Sequence, residues 1–439
     1  MPINVLIPEE IPSHNKGEAA LLFGLMESLK PFGDTRVALF SLHPDLDREN
    51  YGQEVTVVDA DGVAPAHMLH GQATGGARFI NYLTFMLQHA AFGLLYKIMG
   101  AHALHIMRHP VFRAYVETDL ILMSHDSMYT PFYHGTQALL FHFMKKPAMI
   151  YAATIKRRGG DSTSMKSRFI DAWVAYTSRR TSAITLREEF SKRYLEEIGL
   201  AFPSMPISVY PDLAFLVQAI PREAALEILK AEKAPLDQPL AGMAISQRKL
   251  DFAFPGREVE NRHGKALSPI VDAVNHLTGA LGMTVLFIPH ATGPEPILDD
   301  RVTAEMIREQ AMHPEKIIII RNEYSCQALK GLASCLDITV GTRLHFTIDA
   351  VSCSVPSLLI AHAGDVRCHG IIGEMLDMGE YVYDIDEIEA HSLIQRIDLL
   401  WTNRREIQER LSERMKSIRE AACLHGKTAL SLLGPSISG

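Results

Sequence analysis

Apolar and polar positions along the chain alternate between short apolar runs and longer stretches with helical spacing. Apolar runs over 3–7, 37–41, 55–59, 119–123, 147–152, 182–186 and 209–213 predict strands. Spacings of three and four over 19–29, 137–145, 167–178 and 188–198 predict helices between them, the first closed by Pro31 and the last by Gly199. A helix over 221–230 follows, and residues 231–239, with their prolines and charges, read as a linker. Beyond it the pattern restarts. Strands are predicted over 240–245, 284–288, 317–320, 335–340 and 357–360, and helices over 268–281, 299–310 and 325–334. Strand and helix in alternation are the sign of a doubly wound parallel sheet, and 439 residues are too many for one ordinary core. The expected fold is α/β, with two Rossmann-like doubly wound domains facing a cleft. Residues 1–218 form the first domain, with a helical insertion over about 65–116, and 219–239 are the linker region. Residues 240–390 form the second domain, and the helical region 391–439 is a candidate to pack back on the first.

The stretch from 340 to 360 is the most informative. Gly341 and Thr342 break the apolar strand and offer an N-cap hydroxyl, so a helix is predicted to start at Thr342, with Arg343 and His345 in its first turn. Leu344, Phe346, Ile348 and Val351 are its apolar positions, and Pro356 opens the next strand. The free N–H groups of the first turn and the helix dipole favour an anion, and Arg343 adds a fork of donors matched to phosphate or carboxylate. Arg343 and His345 converge on one ligand only if Arg343 belongs partly to the loop. On spacing alone the stretch reads equally well as a buried crossover helix, with Arg343 paired to an acid and His345 satisfied in the core.

Ligands of open parallel sheets bind outside the carboxyl ends of the strands. The loop 14–20 places Asn15 and Gly17 in a turn and Glu18 at a helix start; the plain alternative is an acid favoured by the helix dipole. His125 and Asp126 put an ionisable pair after the strand 119–123, with a loop-capping role for His125 as the alternative. His290, after the strand 284–288, is placed to touch an acceptor or a phosphate; the alternative is a surface histidine. Phosphate-binding lysine loops, HExxH, EF-hand loops, GxSxG and GxGxxG do not occur, so dinucleotide binding of the usual kind is not expected.

Composition narrows the partners. An apolar content of 47% with 21% charged residues is that of a globular protein, and a net charge of −8 argues against a general nucleic-acid binder. Small molecules or neutral glycans fit better. Five cysteines without metal-type spacing read as buried free thiols in a reducing compartment. The start, MPINVLIPEE, has no basic n-region and turns acidic at once, so no secretory signal is read and a cytoplasmic protein is expected. Residues 79–96 carry no formal charge and approach a membrane span in length, but Asn81, Gln88 and His89 favour a buried or interfacial helix.

The run DITVGTRLH over 337–345, followed by Ser354-Val355-Pro356 and by Gly364-Asp365-Val366-Arg367, resembles the C-terminal motif and tail of the polysaccharide pyruvyl transferase family. The loop 15–20 is similar to that family's Asn-x-Gly-Asp-x-Ala motif, with Glu18 in place of the usual Asp. The segments 184–191 and 211–215 resemble its strand ending in Arg-Asp and its closing Asp-x-x-Phe-like strand, whereas a run of glycines common near 124–127 is missing. The resemblance implies an architecture like that of glycosyltransferase-B enzymes. It also implies transfer of pyruvate from phosphoenolpyruvate to a sugar of a polysaccharide or its lipid-linked precursor, as a ketal, with neither cofactor nor metal. Arg187, Arg343, Leu344 and His345 are then donor-binding candidates, and Asn15, Gly17, Asp126 and His290 line the acceptor side or cleft. Glu18 is the base candidate and His345 or His125 the acid. Peripheral contact with the inner face of a membrane is part of this expectation. A nucleotide-sugar glycosyltransferase of the same architecture and an inactive relative that binds glycan or protein are the alternatives.

Overall fold

The computed structural model of the chain describes residues 2–63, 75–124, 130–157, 164–200, 205–293 and 295–434. The strands are β1 (Ile3–Glu10), β2 (Thr35–Ser41), β3 (Val55–Asp59), β4 (Leu120–Met123), β5 (Ala148–Ala153), β6 (Ile184–Leu186) and β7 (Ile207–Val209). A second series follows as β8 (Leu240–Ala244), β9 (Thr284–Phe287), β10 (Ile317–Ile319), β11 (Ile338–Gly341), β12 (Ser357–Ala361) and β13 (Val382–Asp384). They make two parallel sheets, ordered β3-β2-β1-β4-β5-β6-β7 and β10-β9-β8-β11-β12-β13. In each sheet the order reverses once, between β1 and β4 and between β8 and β11. Those switch points open a crevice at the carboxyl ends of the strands. Every residue of β4, β5, β8, β9, β11 and β12 is buried, as befits sheets covered by helices on both faces.

Contacts divide the chain into two units. The first comprises Met1–Ser13, Leu25–Leu213 and Ala421–Gly439, and the second His14–Gly24 and Ala214–Glu420. The division falls inside the first helix, Lys16–Leu29, whose opening turns are held by the second unit: Asn15 bridges to Ala291, and the Lys16 N–H donates to the His290 carbonyl at 2.9 Å. The region 219–239 carries the helix Arg222–Ala231, whose Ala225 and Leu229 are part of the second unit's core. The last helix, Leu424–Ser431, belongs to the first unit. There Gly426 lies so close to the Ser28 carbonyl that any side chain would collide with it.

Local rules account for the shifted boundaries. The helix predicted over 137–145 runs over Pro131–Met144, because proline at the first helical position has a suitable φ and lacks only an N–H that would go unpaired there. The strand predicted over 209–213 ends at Val209, ahead of Pro211, and a 3-10 turn, Leu213–Leu216, follows. The helix predicted over 268–281 is Arg262–Asn275, capped by the Asn261 side chain, which accepts from Gly264 N–H at 3.3 Å. All five cysteines are free thiols, and burial pushes Cys326 and Cys368 up to about 12.

The helical insertion contains the helix Gly75–Met99, a turn over Gly100–His105 and the helix Pro110–Glu117. Phe85 stacks on Tyr133 at 4.8 Å and Phe92 on Phe112 at 4.4 Å, which locks one face of the long helix into the first unit's core. Among the described residues no single helix is long and apolar enough to cross a membrane, although the bent pair Phe79–His105 and Pro110–Glu117 passes that test jointly.

Two buried histidines make the first unit acid-sensitive. His89 donates from Nδ1 to the Phe85 carbonyl (2.8 Å) and contacts the Tyr115 hydroxyl (3.0 Å), and His425 contacts the Pro211 carbonyl (3.1 Å). Burial lowers both pKa values to about 4. In the unfolded chain they return to roughly 6.5, so unfolding takes up protons below that pH and stability falls until the folded imidazoles themselves protonate. The loss amounts to roughly 3 kcal/mol for each histidine. Denaturant midpoints are expected to hold level above neutral pH and drop between about pH 6.5 and 4, less steeply in His425→Gln. A midpoint that ignores pH across that window would remove this account.

Candidate active site

The second sheet's carboxyl end gathers most of the residues singled out by sequence. At its switch point, Thr342 does not cap the helix as expected. Its N–H donates to the Ala244 carbonyl at 2.9 Å and its hydroxyl accepts from Ser246 N–H at 2.7 Å, so it ties the end of β11 to the end of β8. The cap position falls to Arg343, with extended backbone (φ −97°, ψ 112°), and the helix is Leu344–Ser352. Arg343 therefore belongs to the loop. Leu344 opens the helix and is buried.

Arg343 is held from one side. Its Nε donates to both Asp300 oxygens at 3.1 Å and its Nη2 to Oδ1 at 2.5 Å, so one edge of the guanidinium is fixed and the other edge is directed away from Asp300. Asp300 also accepts from the backbone N–H groups of His290 (3.0 Å) and Ala291 (3.2 Å). Because β8 lies between β9 and β11, this one buried carboxylate spans the end of β8 and joins the loop after β9 to the loop after β11.

His290 is buried and not the surface histidine weighed above. Its Nε2 lies 3.1 Å from Asp349 and its Nδ1 3.2 Å from the Ile288 carbonyl, while Phe346 packs against the ring edge-on. Its imidazole is turned inward, beneath the loop. Asp349 also bears on Lys330, whose buried ammonium reaches the Ala214 carbonyl at 3.1 Å; burial lowers the Lys330 pKa, and Asp349 acts against that shift.

The loop 14–18 lies on the same assembly. The Asn15 amide donates to Glu18 Oε1 at 2.8 Å, and Asn15 Oδ1 accepts from Glu18 N–H at 3.5 Å. The buried Lys16 reaches Glu323 at 3.8 Å. Gly17 faces His345. A Cβ on Gly17 would collide with the imidazole and lie 3.1 Å from the His345 Cβ, so only glycine lets the Glu18 turn approach the helix start this closely. Gly17→Ala is expected to displace His345 and lower turnover by about 10²-fold while the fold persists, because the obstructed group is a side chain. Steady-state rates alongside melting curves test this, and unchanged turnover would detach His345 from the chemistry.

A second cationic cluster was missed by the sequence reading. Lys249, in the turn after β8, donates to Asp365 at 2.7 Å, and Arg367 Nε and Nη2 donate to the same carboxylate at 2.9 and 3.0 Å. Asp365 is buried, and its two cationic partners overcome the penalty of burial and hold its carboxyl far below the usual carboxylate range. With β11 between β8 and β12, the Lys249–Asp365 pair joins the loops that follow the two strands flanking β11, the strand that Arg343 follows. Lys249 lies four residues after the strand predicted over 240–245, and a search of every strand-end loop would have found it.

In the first unit, Arg187 is fully buried. Its Nε donates to the Thr154 hydroxyl (2.8 Å) and Nη1 to Asp212 (2.7 Å), which joins the end of β6 to the loop after β7. At this unit's own switch point Glu9 accepts from Ser124 N–H and from His134 Nε2 at 3.0 Å; Thr130 N–H donates to the other imidazole nitrogen at 2.8 Å, which fixes the tautomer. His125 and Asp126 lie outside the described residues. Among those described, no group of three or more His, Cys, Asp or Glu side chains is placed to hold a metal ion.

Two parallel Rossmann-ordered sheets with charged loops at a switch point define a protein of the glycosyltransferase-B type of fold. A family model described as polysaccharide pyruvyl transferase matches residues 15–364, and the chain belongs to that family. A curated relative, the amylovoran biosynthesis protein AmsJ of Erwinia amylovora, is 22% identical over 307 residues, which cover 66% of this chain and 65% of the relative, somewhat under two thirds of its length. Among solved structures, UDP-GlcNAc 2-epimerase of Neisseria meningitidis bound to UDP-GlcNAc aligns over 98% of this chain and 100% of its own, with 14% identity and a TM-score of 0.57. Anabaena Alr3699/HepE in complex with UDP and glucose aligns over 99% and 100%, with 11% identity and a TM-score of 0.54. At such identities the likeness is one of fold.

Proposed function

We propose that the protein is a transferase that moves the pyruvyl group of phosphoenolpyruvate onto two hydroxyls of a sugar, in a glycan or its lipid-linked precursor, and leaves a pyruvate ketal. The observation that carries this reading is the close approach of Gly17, in the turn that opens with Asn15 and holds Glu18, to His345, which follows Arg343 after β11, in a chain of this family. The donor has a carboxylate and a phosphate. The free edge of Arg343 and the Lys249–Arg367 pair supply cations for them, with the N–H groups of the helix Leu344–Ser352 between. His345 gives a proton to the vinyl carbon, and the double-bond electrons form the new C–H bond. The adjacent carbon becomes oxocarbenium-like. A sugar hydroxyl adds to it as Glu18 takes the hydroxyl proton. Phosphate then leaves with its bridging oxygen, a second hydroxyl closes the ketal and loses its proton, and the sum is donor plus diol to ketal plus phosphate. The scheme uses no cofactor.

Release of inorganic phosphate from phosphoenolpyruvate, dependent on a glycan acceptor and accompanied by a pyruvate mass increment on that acceptor, is the expected result. Nucleotide release from a UDP-sugar, with none of phosphate from phosphoenolpyruvate, would overturn it.

A further inference from the structure

The long helix Gly75–Met99 is apolar on the face opposite the core as well. Phe79, Leu83, Leu87, Leu94 and Ile98 recur at helical spacing along one stripe, and each is between 45% and 72% exposed. The opposite side, with Phe85, His89 and Phe92, is buried in the core, so the stripe is a second apolar face of the helix. Next to it a hollow of about 310 Å³ runs between this helix and Pro131–Met144, lined by Met86, Ala90, Leu94, Leu139 and Phe143. The apolar surface continues to the helix Met165–Ser178, where Met165 and Phe169 are exposed and Phe132 joins Tyr82 to Phe169 through ring contacts. Contiguous exposed apolar surface of this kind marks an interaction site.

Charge identifies the partner. The helices Gly75–Met99 and Pro131–Met144 contain no acid, and the single acid of Met165–Ser178, Asp171, is engaged by Arg157 at 3.1 Å. Lys97, Lys145, Lys166 and Arg168 are exposed on the same three helices and the residue that ends one of them, and the Lys97 ammonium lies 4.8 Å over the Phe143 ring at the rim of the hollow. A chain of net charge −8 thus has one apolar face bordered by cations. A second copy docking on this face by two-fold symmetry would set those cations against their own equivalents, whereas anionic lipid headgroups complement them. A spanning role does not fit, since the inner side of the helix is committed to the core.

We propose that this three-helix face of the first unit docks on an anionic lipid bilayer, with the stripe seated at the boundary of headgroup and acyl chain and the lysines and arginine on phosphate groups. The inference does not depend on the reading of the catalytic residues. Co-sedimentation of the full chain with vesicles of phosphatidylcholine alone, or with about a third of phosphatidylglycerol, tests it directly. Binding is expected with the anionic vesicles only, released by salt, and weakened about ten-fold or more in Leu83→Glu/Leu87→Glu. Both side chains are exposed, so that double variant should melt like the parent. The proposal is overturned if the protein stays in the supernatant with anionic vesicles, or if the double variant binds as the parent does. It is also overturned if light scattering finds a dimer that the double variant dissociates and no vesicle binding accompanies it.

Discussion

Replacement of Glu18 by glutamine is expected to lower turnover by about 10²- to 10⁴-fold and to leave phosphoenolpyruvate affinity close to that of the parent. Glutamine keeps the length of the side chain, and its carbonyl oxygen can still accept from the Asn15 amide that holds Glu18 Oε1 at 2.8 Å. What it cannot do is accept a hydroxyl proton. The charge lost from the first turn of Lys16–Leu29 costs roughly 0.3–1 kcal/mol of helix-dipole stabilisation, so the melting temperature should move little. Glu18→Asp keeps a carboxylate but withdraws it by one methylene, and partial turnover is expected because positioning, rather than the capacity to take a proton, is then impaired. Phosphate-release kinetics with a competent acceptor, and calorimetry for the donor, separate the two effects. Normal turnover in Glu18→Gln would remove the base role and leave the Asn15–Glu18 pair as a helix cap.

Much of the fold was legible because periodicity reports burial, and strand–helix alternation leaves few parallel topologies. The long-range pairings were not legible in the same way. Arg343 could be read as a fork for an anion or as a paired core residue, and the structure shows features of both: Asp300 fixes one edge of the guanidinium and leaves the other turned away. Thr342 looked like an N-cap because hydroxyls before helices usually cap, but Ser246 N–H, 96 residues away in sequence, competes for the same oxygen. The loop 14–18 is tied to the second unit by long-range contacts, among them the Asn15 to Ala291 bridge, the Lys16 to His290 hydrogen bond, the Lys16–Glu323 pair and the close approach of Gly17 to His345. No local pattern encodes such contacts. Arg187 sat at a strand end, which is a recognition position in open sheets; its complete burial against Asp212 and Thr154 depends on two other strand ends that sequence spacing does not bring together.

Asp300→Asn should damage stability and donor binding together, because this carboxylate is the fastening of the Arg343 loop. Its oxygens accept five contacts from the Arg343 guanidinium and the His290 and Ala291 amides, all from donors. An asparagine offers one oxygen and turns an NH₂ group toward N–H donors, and it leaves the guanidinium without a counter-charge. Breaking a buried ion pair from one side typically costs 3–5 kcal/mol, and since Arg343 is partly open to solvent the lower end, about 3 kcal/mol, is the expected loss. With the loop released, Arg343 no longer presents its outer edge in a fixed direction, and phosphoenolpyruvate affinity should fall by about ten-fold or more. Arg343→Lys is the informative partner variant, since it keeps a charge for Asp300 but loses the fork, and so should weaken the donor with a smaller loss of stability. A double-mutant cycle on the denaturation free energies then measures the fastening itself. If the two substitutions add to within about 0.5 kcal/mol, the residues do not act as a unit and the loop must be held by Thr342 and Ser246 instead.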